Sequence, residues 1–289
     1  MTRRATYAIA LVLLVGVAVV AQAQETYLDS YVAQVKPEKR MEFDNLAKKI
    51  AAANRQNHGD NWIAYEQVYG EQNVVHFVST RVGYADIDKG TFAFMTAMTK
   101  ALGEAGTLKL FQDLNNCTIS AHGVLRRRRP ELSVNWPSDP AAQAKLVGNL
   151  RWIRMIKVYV RPGQTARFEE QLKAIKTAVE SADSTTVSSV SQSTAGERGT
   201  VFYIAQLRSS LGAFDNDKPL AAMMGAGAMA DLNKVVGEAT TGIETLIYRI
   251  IPEFSNPPEE SVAAAPDFWR PKPRPAAKPA APAKEPAKK

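Results

Sequence analysis

Three segments of this 289-residue chain recur in the same order further along it, and this repetition constrains the fold more than any other feature. The clearest match pairs VLRRRRPELS with LIYRIIPEFS, which share arginine, proline, glutamate and serine at fixed spacing. The aligned segments are 35–50 with 160–175, 82–86 with 211–215, and 124–133 with 246–255. Matches that keep one order are typical of an internal repeat, so we predict two similar halves.

Both halves have the same predicted elements. A strand leads through a proline into a helix whose apolar stripe has three-and-four spacing, which indicates a face packed in a core. Two strand-like runs follow as a hairpin, then a helical region and a closing strand. The stripes are Phe43, Leu46 and Ile50 in the first half and Phe168, Leu172 and Ile175 in the second.

The order strand, helix, strand, strand, helix, strand defines a ferredoxin-like half. Two such halves in one chain resemble the dimeric α+β barrel superfamily, which includes antibiotic-biosynthesis-type monooxygenases and stress-responsive barrel proteins. The resemblance covers residues 27–255 and implies an α+β fold in which the two halves pair their antiparallel sheets around a central space. It also implies a monomer, because one chain supplies both halves.

The segments outside the halves predict an exported protein. Residues 1–23 have a basic start, an apolar run and the small-residue motif AQA, which is typical of a cleaved signal peptide. We therefore expect a periplasmic or extracellular protein, with an uncleaved membrane anchor as the alternative. The predicted boundaries are 24–134 for the first half, 135–149 for a linker, 150–256 for the second half and 257–289 for a disordered tail rich in Pro, Ala and Lys.

The net charge of +7 does not indicate a nucleic-acid-binding domain. Residues 1–23 carry +2 and residues 270–289 carry +6, so residues 24–269 together are at −1. The basic tail is expected to be a spacer, or to touch an anionic envelope surface. Within it, Phe268 and Trp269 can pack back onto the folded body.

The chain lacks the motifs of common cofactor and metal sites. It has no complete Gly-rich phosphate motif, no paired metal-ligand spacing and no nucleophile elbow. Its single cysteine, Cys117, excludes an internal disulfide and is expected to be buried. We therefore predict no cofactor and no metal.

Candidate catalytic residues are few. His76 and His122 fall in predicted strands, so either can point between the sheets, where Tyr65 of the hairpin can join them around a general base. The alternative is that these histidines are ordinary hydrogen-bonded residues. Haem-using relatives in the superfamily need a histidine supported by an acid, and the sequence assigns no such pair.

Candidate ligand-binding residues come from both halves. They are Glu66 in the first half and Lys157, Tyr159 and Tyr203 in the second, which suit a small cavity for an apolar or aromatic ligand. The run Arg126, Arg127, Arg128 and Arg129 is a candidate anion site. In a strand the run splits, two arginines to each face, so it cannot act as one patch.

These features favour an exported, non-enzymatic protein that binds a small ligand or a partner protein through its barrel. The alternative is a cofactor-independent monooxygenase-like enzyme. In the superfamily, such enzymes hold an activated aromatic substrate in an apolar cavity with few polar residues. The sequence leaves open whether there is catalysis.

Overall fold

The structure, a computed structural model, describes residues 25–271, so the predicted signal segment lies outside the described residues. The strands are β1 Tyr27–Val35, β2 Ile63–Tyr69, β3 Val74–Arg81, β4 Thr118–Arg128, β5 Trp152–Val160, β6 Ser188–Ala195, β7 Thr200–Arg208 and β8 Thr240–Ile250. The helices are α1 Arg40–Gln56, α2 Tyr84–Cys117, α3 Pro140–Gly148, α4 Thr165–Ser181, α5 Leu220–Met224, α6 Ala226–Ala239, α7 Glu259–Ala264 and α8 Pro266–Trp269. None of the helices in this part of the chain is long and apolar enough to cross a membrane.

All eight strands form one closed antiparallel barrel in the order β1-β3-β2-β8-β5-β7-β6-β4. Each half contributes four neighbouring strands, and the halves join where β2 pairs with β8 and where β4 pairs with β6. The predicted α+β class, with antiparallel sheets paired within one chain, is confirmed. Closure leaves no free sheet edge at the barrel wall.

Helices cover the outside of the barrel in both halves. Phe43 and Leu46 of α1 pack with Met98 of α2 against the outer face of the first half. Phe168 and Leu172 of α4 pack against Val158, Val190 and Phe202 of the second half. Many outward-pointing strand residues therefore pack against a helix, and their neighbours along the strand point into the barrel.

The two aligned closing segments make equivalent contacts, each with the opposite half. After β4, the buried Ser133 hydroxyl donates to Arg129 O and accepts from Val190 N of β6 at 2.9 Å. After β8, the buried Ser255 hydroxyl donates to Ile251 O and accepts from Ala64 N of β2 at 2.8 Å. The adjacent Leu132 and Phe254 enter the helix-side cores of the second and first half respectively. The two aligned closing segments thus connect each half to the other through a buried hydrogen bond.

The predicted linker and the start of the predicted tail are folded. Helix α3 lies in the linker, and α7 and α8 lie after residue 257, so the prediction of disorder from that residue is wrong as far as Trp269. Trp269 packs back onto the body together with Phe268, as the sequence indicated, and Val262 joins the same core cluster of the barrel interior. Gly148 allows α3 and α7 to meet, because a Cβ atom there would lie 2.3 Å from Ser261 O.

Candidate functional site in the barrel interior

Two cavities occupy the barrel interior. The larger, about 1240 Å³, lies at the mouth covered by α3 and α7, and the smaller, about 340 Å³, lies towards the other end. Both are within or near the size range of small-molecule sites. Tyr65, Arg126 and Met155 line both cavities and so form the boundary between them.

The wall of the larger cavity is mainly apolar. Its interior part is formed by side chains that alternate inwards along the strands. These are Leu28, Ile63, Val78, Ile153, Ala205 and Leu207. The polar groups on this part of the wall include Thr80, Ser189, Ser191 and the two guanidinium groups of Arg126 and Arg128. An apolar wall with few convergent polar groups is typical of a site for an organic molecule.

The four-arginine run is divided between the two faces of β4. Arg127 points outwards and pairs with Glu25 at 2.8 Å, and Arg129 pairs with Glu131 and Glu169 at 2.6 Å each. The prediction that all four form an anion site is therefore wrong for Arg127 and Arg129, because alternation sends them to the outside. Arg126 and Arg128 face the cavity.

The inward arginines are held by aromatic rings instead of by acids. Arg126 is 4% exposed, lies 4.7 Å from the Tyr203 ring centroid and donates to the Ser30 hydroxyl at 2.9 Å. Arg128 lies 4.7 Å from the Trp136 ring centroid. The buried Nε atom of each has no hydrogen-bond partner. Burial, together with the charge of Arg126, lowers the pKa of Arg128 to about 10, so Arg128 stays charged near neutral pH.

His76 lies in the smaller cavity between two tyrosine rings. Tyr65 stacks on it and Tyr248 meets it edge-on, each with 5.0 Å between ring centroids, and its buried Nε2 atom has no hydrogen-bond partner. Burial, followed by the positive charges of Arg126, His122 and Lys157, lowers the pKa of His76 to about 3. His76 is therefore neutral at physiological pH.

The three predicted catalytic residues share this cavity but form no hydrogen-bonded triad. Tyr65 contacts His76 through its ring, and His122 lies on the other side of β1, where Val32 pairs with both histidines. His122 is exposed, whereas Tyr65 is 5% exposed. His76 is the one of the three whose pKa is strongly shifted by its surroundings.

The smaller cavity ends in a network of charged and hydroxyl groups. Lys157 pairs with Glu197 at 2.9 Å, and the Tyr203 hydroxyl donates to the same carboxylate. The Tyr159 hydroxyl donates to Glu244 at 2.8 Å. Burial alone would lower the pKa of Lys157, but hydrogen bonds with Tyr159 and Glu197 raise it. Sequence reasoning did not identify Glu197, which stands in the β6–β7 hairpin between Gly196 and Gly199.

Glu66 does not line either cavity, so its predicted role in ligand binding is wrong. Tyr65 and Gln67 point inwards, and alternation therefore turns Glu66 to the outer face of β2. There it pairs with Arg40 at 2.6 Å and also with Arg249. This cluster joins β2, α1 and β8 and is structural.

Metal and haem ligands are not assembled around these histidines. Within residues 25–271 no three His, Cys, Asp or Glu side chains are grouped so that they could hold a metal ion. A haem-ligating histidine requires a supporting hydrogen-bond acceptor, commonly a carboxylate, yet the His76 ring lies between Tyr65 and Tyr248 and no carboxylate is hydrogen-bonded to it in the described residues. His76 therefore does not fit that role.

No protein-family profile and no curated protein sequence matches the chain. Solved structures with a similar fold include a protein presumed to be a monooxygenase from Lactobacillus acidophilus, with 9% identity, a TM-score of 0.48, and coverage of 78% of this chain and 94% of that one. An anthrone oxidase-like protein has 12% identity, a TM-score of 0.48, and coverage of 80% and 92%. Chlorite dismutase from Candidatus Nitrospira defluvii, in complex with imidazole, has 10% identity, a TM-score of 0.46, and coverage of 83% and 94%.

These comparisons correct the predicted function. The expectation of a non-enzymatic binding protein is contradicted by these comparisons, because all three similar structures have the names of enzymes or enzyme-like proteins. At 9–12% identity the likeness is one of fold alone. The residues of the barrel interior, and not the fold, therefore bear on the activity of this chain.

Proposed function

We propose that the chain is a cofactor-independent enzyme that oxidises a small aromatic molecule with O2 inside the barrel. The observation that carries the proposal is His76, a neutral imidazole with an unpartnered Nε2 in a cavity wall that also contains the charged Arg126. A base and a fixed positive charge are the two groups needed to form and stabilise a substrate anion.

The rings at the boundary of the two cavities favour a flat aromatic substrate. Tyr65 and Tyr248 are 5% and 4% exposed and meet edge-on with 5.0 Å between centroids. Met155 lies on the same wall, and thioether groups make favourable contacts with aromatic rings. A substrate ring at this boundary can stack on tyrosine with its reacting edge towards His76.

The low pKa of His76 suits a base that works on an anion-forming substrate. Burial, followed by the charges of neighbouring groups that include Arg126 and Lys157, disfavours the imidazolium form. A substrate that gives up its proton becomes an anion, and its negative charge offsets those cations and raises the pKa of His76 during the transfer. The guanidinium group of Arg126 stabilises the same anion.

The chemistry balances with O2 as the one co-reactant. An acidic CH2 group gives a proton to His76, and the carbanion adds to O2 to form a peroxide anion. That anion recovers the proton from His76, and the hydroperoxide then loses water, which takes the second hydrogen of the carbon and leaves a carbonyl group. The carbon is oxidised by four electrons, and the four electrons reduce O2 to the carbonyl oxygen and one water.

Oxygen uptake with anthrone tests the proposal, because anthrone is a flat aromatic molecule with an acidic CH2 group. We expect uptake by the purified chain above the buffer rate, with formation of anthraquinone. His76→Gln should lower the rate at least about 100-fold, which is the usual contribution of a general base. His58→Asn, at an exposed helix end outside the barrel, is the control and should keep the wild-type rate.

Two results would overturn the proposal. One is uptake no faster than buffer with both anthrone and 1-naphthol as probes. The other is an equal rate for wild type and His76→Gln, with both proteins shown to be folded by their near-ultraviolet circular dichroism.

We also infer that the two halves are copies of one unit and that the mature protein acts outside the cytoplasm. The equivalent contacts of Ser133 and Ser255 support the first inference, and the signal pattern of residues 1–23 supports the second. N-terminal sequencing of the protein from its native host should begin at Gln24. A sequence that begins at Met1 would contradict export by cleavage.

A further inference from the structure

The inward pair Arg126 and Arg128 lacks a carboxylate partner, whereas Arg129 and Lys157 in the barrel wall each have one. Arg127 and Arg129 on the same strand are paired with carboxylates. Within the described residues, Arg126 and Arg128 make no ion pair, and their contacts are the two aromatic rings and the Ser30 hydroxyl. Two residues apart on one strand, their Cα atoms are separated by about 6.6 Å, close enough to serve one bound group.

Without an ion pair, the charges of the two guanidinium groups are not balanced by an adjacent carboxylate. Burying a guanidinium group without an anion is unfavourable, and two such groups repel each other. Three carboxylates, Asp60, Asp86 and Glu260, lie at the rim of this cavity. Asp60 is engaged by Arg81 at 2.6 Å and Asp86 accepts from Val82 N at 3.1 Å, and within residues 25–271 none of the three forms an ion pair with Arg126 or Arg128. The cavity is therefore built for an anion that arrives from outside the chain.

The walls around the pair define the kind of anion. Ser189 and Ser191 add buried hydroxyl donors beside the arginines, whereas the remaining interior wall is apolar. An inorganic ion would leave that apolar surface empty. A carboxylate on an aromatic body satisfies both parts, because guanidinium groups bind carboxylates through paired hydrogen bonds and the body fills the apolar space.

We infer that the larger cavity binds an aromatic carboxylate, with the carboxylate held by Arg126 and Arg128. This inference rests on the proposed function, since it names the substrate class of the same site. It also sets the orientation of the substrate. A carboxylate at Arg128 directs the ring past Tyr65 and Met155, which line both cavities, towards His76 in the smaller one.

Calorimetric titration of the purified chain with 2-naphthoate and with its neutral amide, 2-naphthamide, tests the inference. We expect 2-naphthoate to bind at least about tenfold more tightly. Arg128→Met should remove that preference and leave the affinity for 2-naphthamide unchanged. Arg128→Lys should retain part of it, because lysine keeps the charge but not the fork of donors. Arg127→Gln, on the outer face of the same strand, is the matched control and should bind both compounds like the wild type.

Equal affinities for the acid and the amide in the wild type would overturn the inference, as would equal losses in Arg127→Gln and Arg128→Met. Inorganic phosphate that binds as tightly as 2-naphthoate would also overturn it, because the site would then select charge alone. Thermal unfolding of each variant separates a lost site from a lost fold. The titration involves no turnover, so a failure of the carboxylate site is distinguishable from a failure of the oxidation proposed at His76.

Discussion

Trp269 fixes the C-terminal segment to the barrel mouth, and its replacement by alanine should lower the free energy of unfolding by about 3–5 kcal/mol. The side chain is 1% exposed and belongs to the core cluster that includes Leu150, Ile153 and Val262. Its Nε1 also donates to Gly148 O at 2.8 Å, which connects α8 to the end of α3. Both the apolar contact and the hydrogen bond are lost in the alanine variant.

The phenylalanine variant separates these two contributions. Trp269→Phe keeps most of the aromatic surface but removes the Nε1 donor. Gly148 O still accepts from Arg151 at 3.0 Å, so the carbonyl is not left without a partner. The expected cost is therefore the net value of one hydrogen bond with a little lost packing, about 1–2 kcal/mol.

Urea unfolding followed by circular dichroism measures these values by linear extrapolation. Asp267→Ala changes an exposed neighbour in α8 and should shift the free energy of unfolding by no more than about 0.5 kcal/mol. A cost below about 1 kcal/mol for Trp269→Ala would refute the packing argument. Equal costs for the alanine and phenylalanine variants would show that the hydrogen bond, and not the ring, holds the segment.

Four further predictions concern the barrel. Ser133→Ala and Ser255→Ala each leave a buried strand N–H without its acceptor, so each should cost about 1–3 kcal/mol in urea unfolding, and the double variant should cost their sum. For Glu66, burial alone would raise the pKa, but the hydrogen bonds from Arg40 and Arg249 outweigh it and lower the pKa. The ion cluster thus stabilises the fold above about pH 4.3. The difference in unfolding free energy between wild type and Glu66→Gln should therefore decrease as pH falls below that value. A difference that does not change with pH would contradict the prediction. His76 is neutral above a pKa of about 3, so kcat/KM for anthrone, corrected for the buffer rate, should be constant from about pH 5 to 8. A decrease in kcat/KM centred near about pH 6.5 would instead indicate a histidine with an ordinary pKa. Light scattering should find the full chain as a monomer and a chain that ends near Ser133 self-associated, and an obligate dimer of the full chain would count against pairing of the two halves within one chain.

The order of the elements was predictable because it depends on local signals. The stripes that begin with Phe43 and Phe168 lie on α1 and α4 as the three-and-four spacing requires. The hairpin turn at Gly70 and Asn73 adopts positive φ angles of 127° and 60°, which such turn residues tolerate. Turns, helix stripes and strand alternation are decided within a few residues, so sequence reasoning reaches them.

The direction of each strand residue was not predictable in the same way. Helices cover the outside of this barrel, so both faces of its strands are largely buried and the apolar pattern does not distinguish inside from outside. Alternation correctly separated the arginine run into two pairs, but it could not say which pair entered the cavity. The same uncertainty placed Glu66 among the ligand-binding candidates, although it belongs to an ion cluster on the outer face.

By itself, the sequence determined two α+β halves, their strand order along the chain and the split of the four arginines, because periodicity and turn chemistry act locally. Only the tertiary structure decided that Arg126 and Arg128 face a cavity without an ion-pair partner, that His76 lies between two tyrosines, and that Trp269 packs at the mouth. Each of these depends on barrel closure, which brings residues from distant parts of the chain around one interior. Burial, pKa and the lack of a charge partner are properties of that shared interior and not of any one segment.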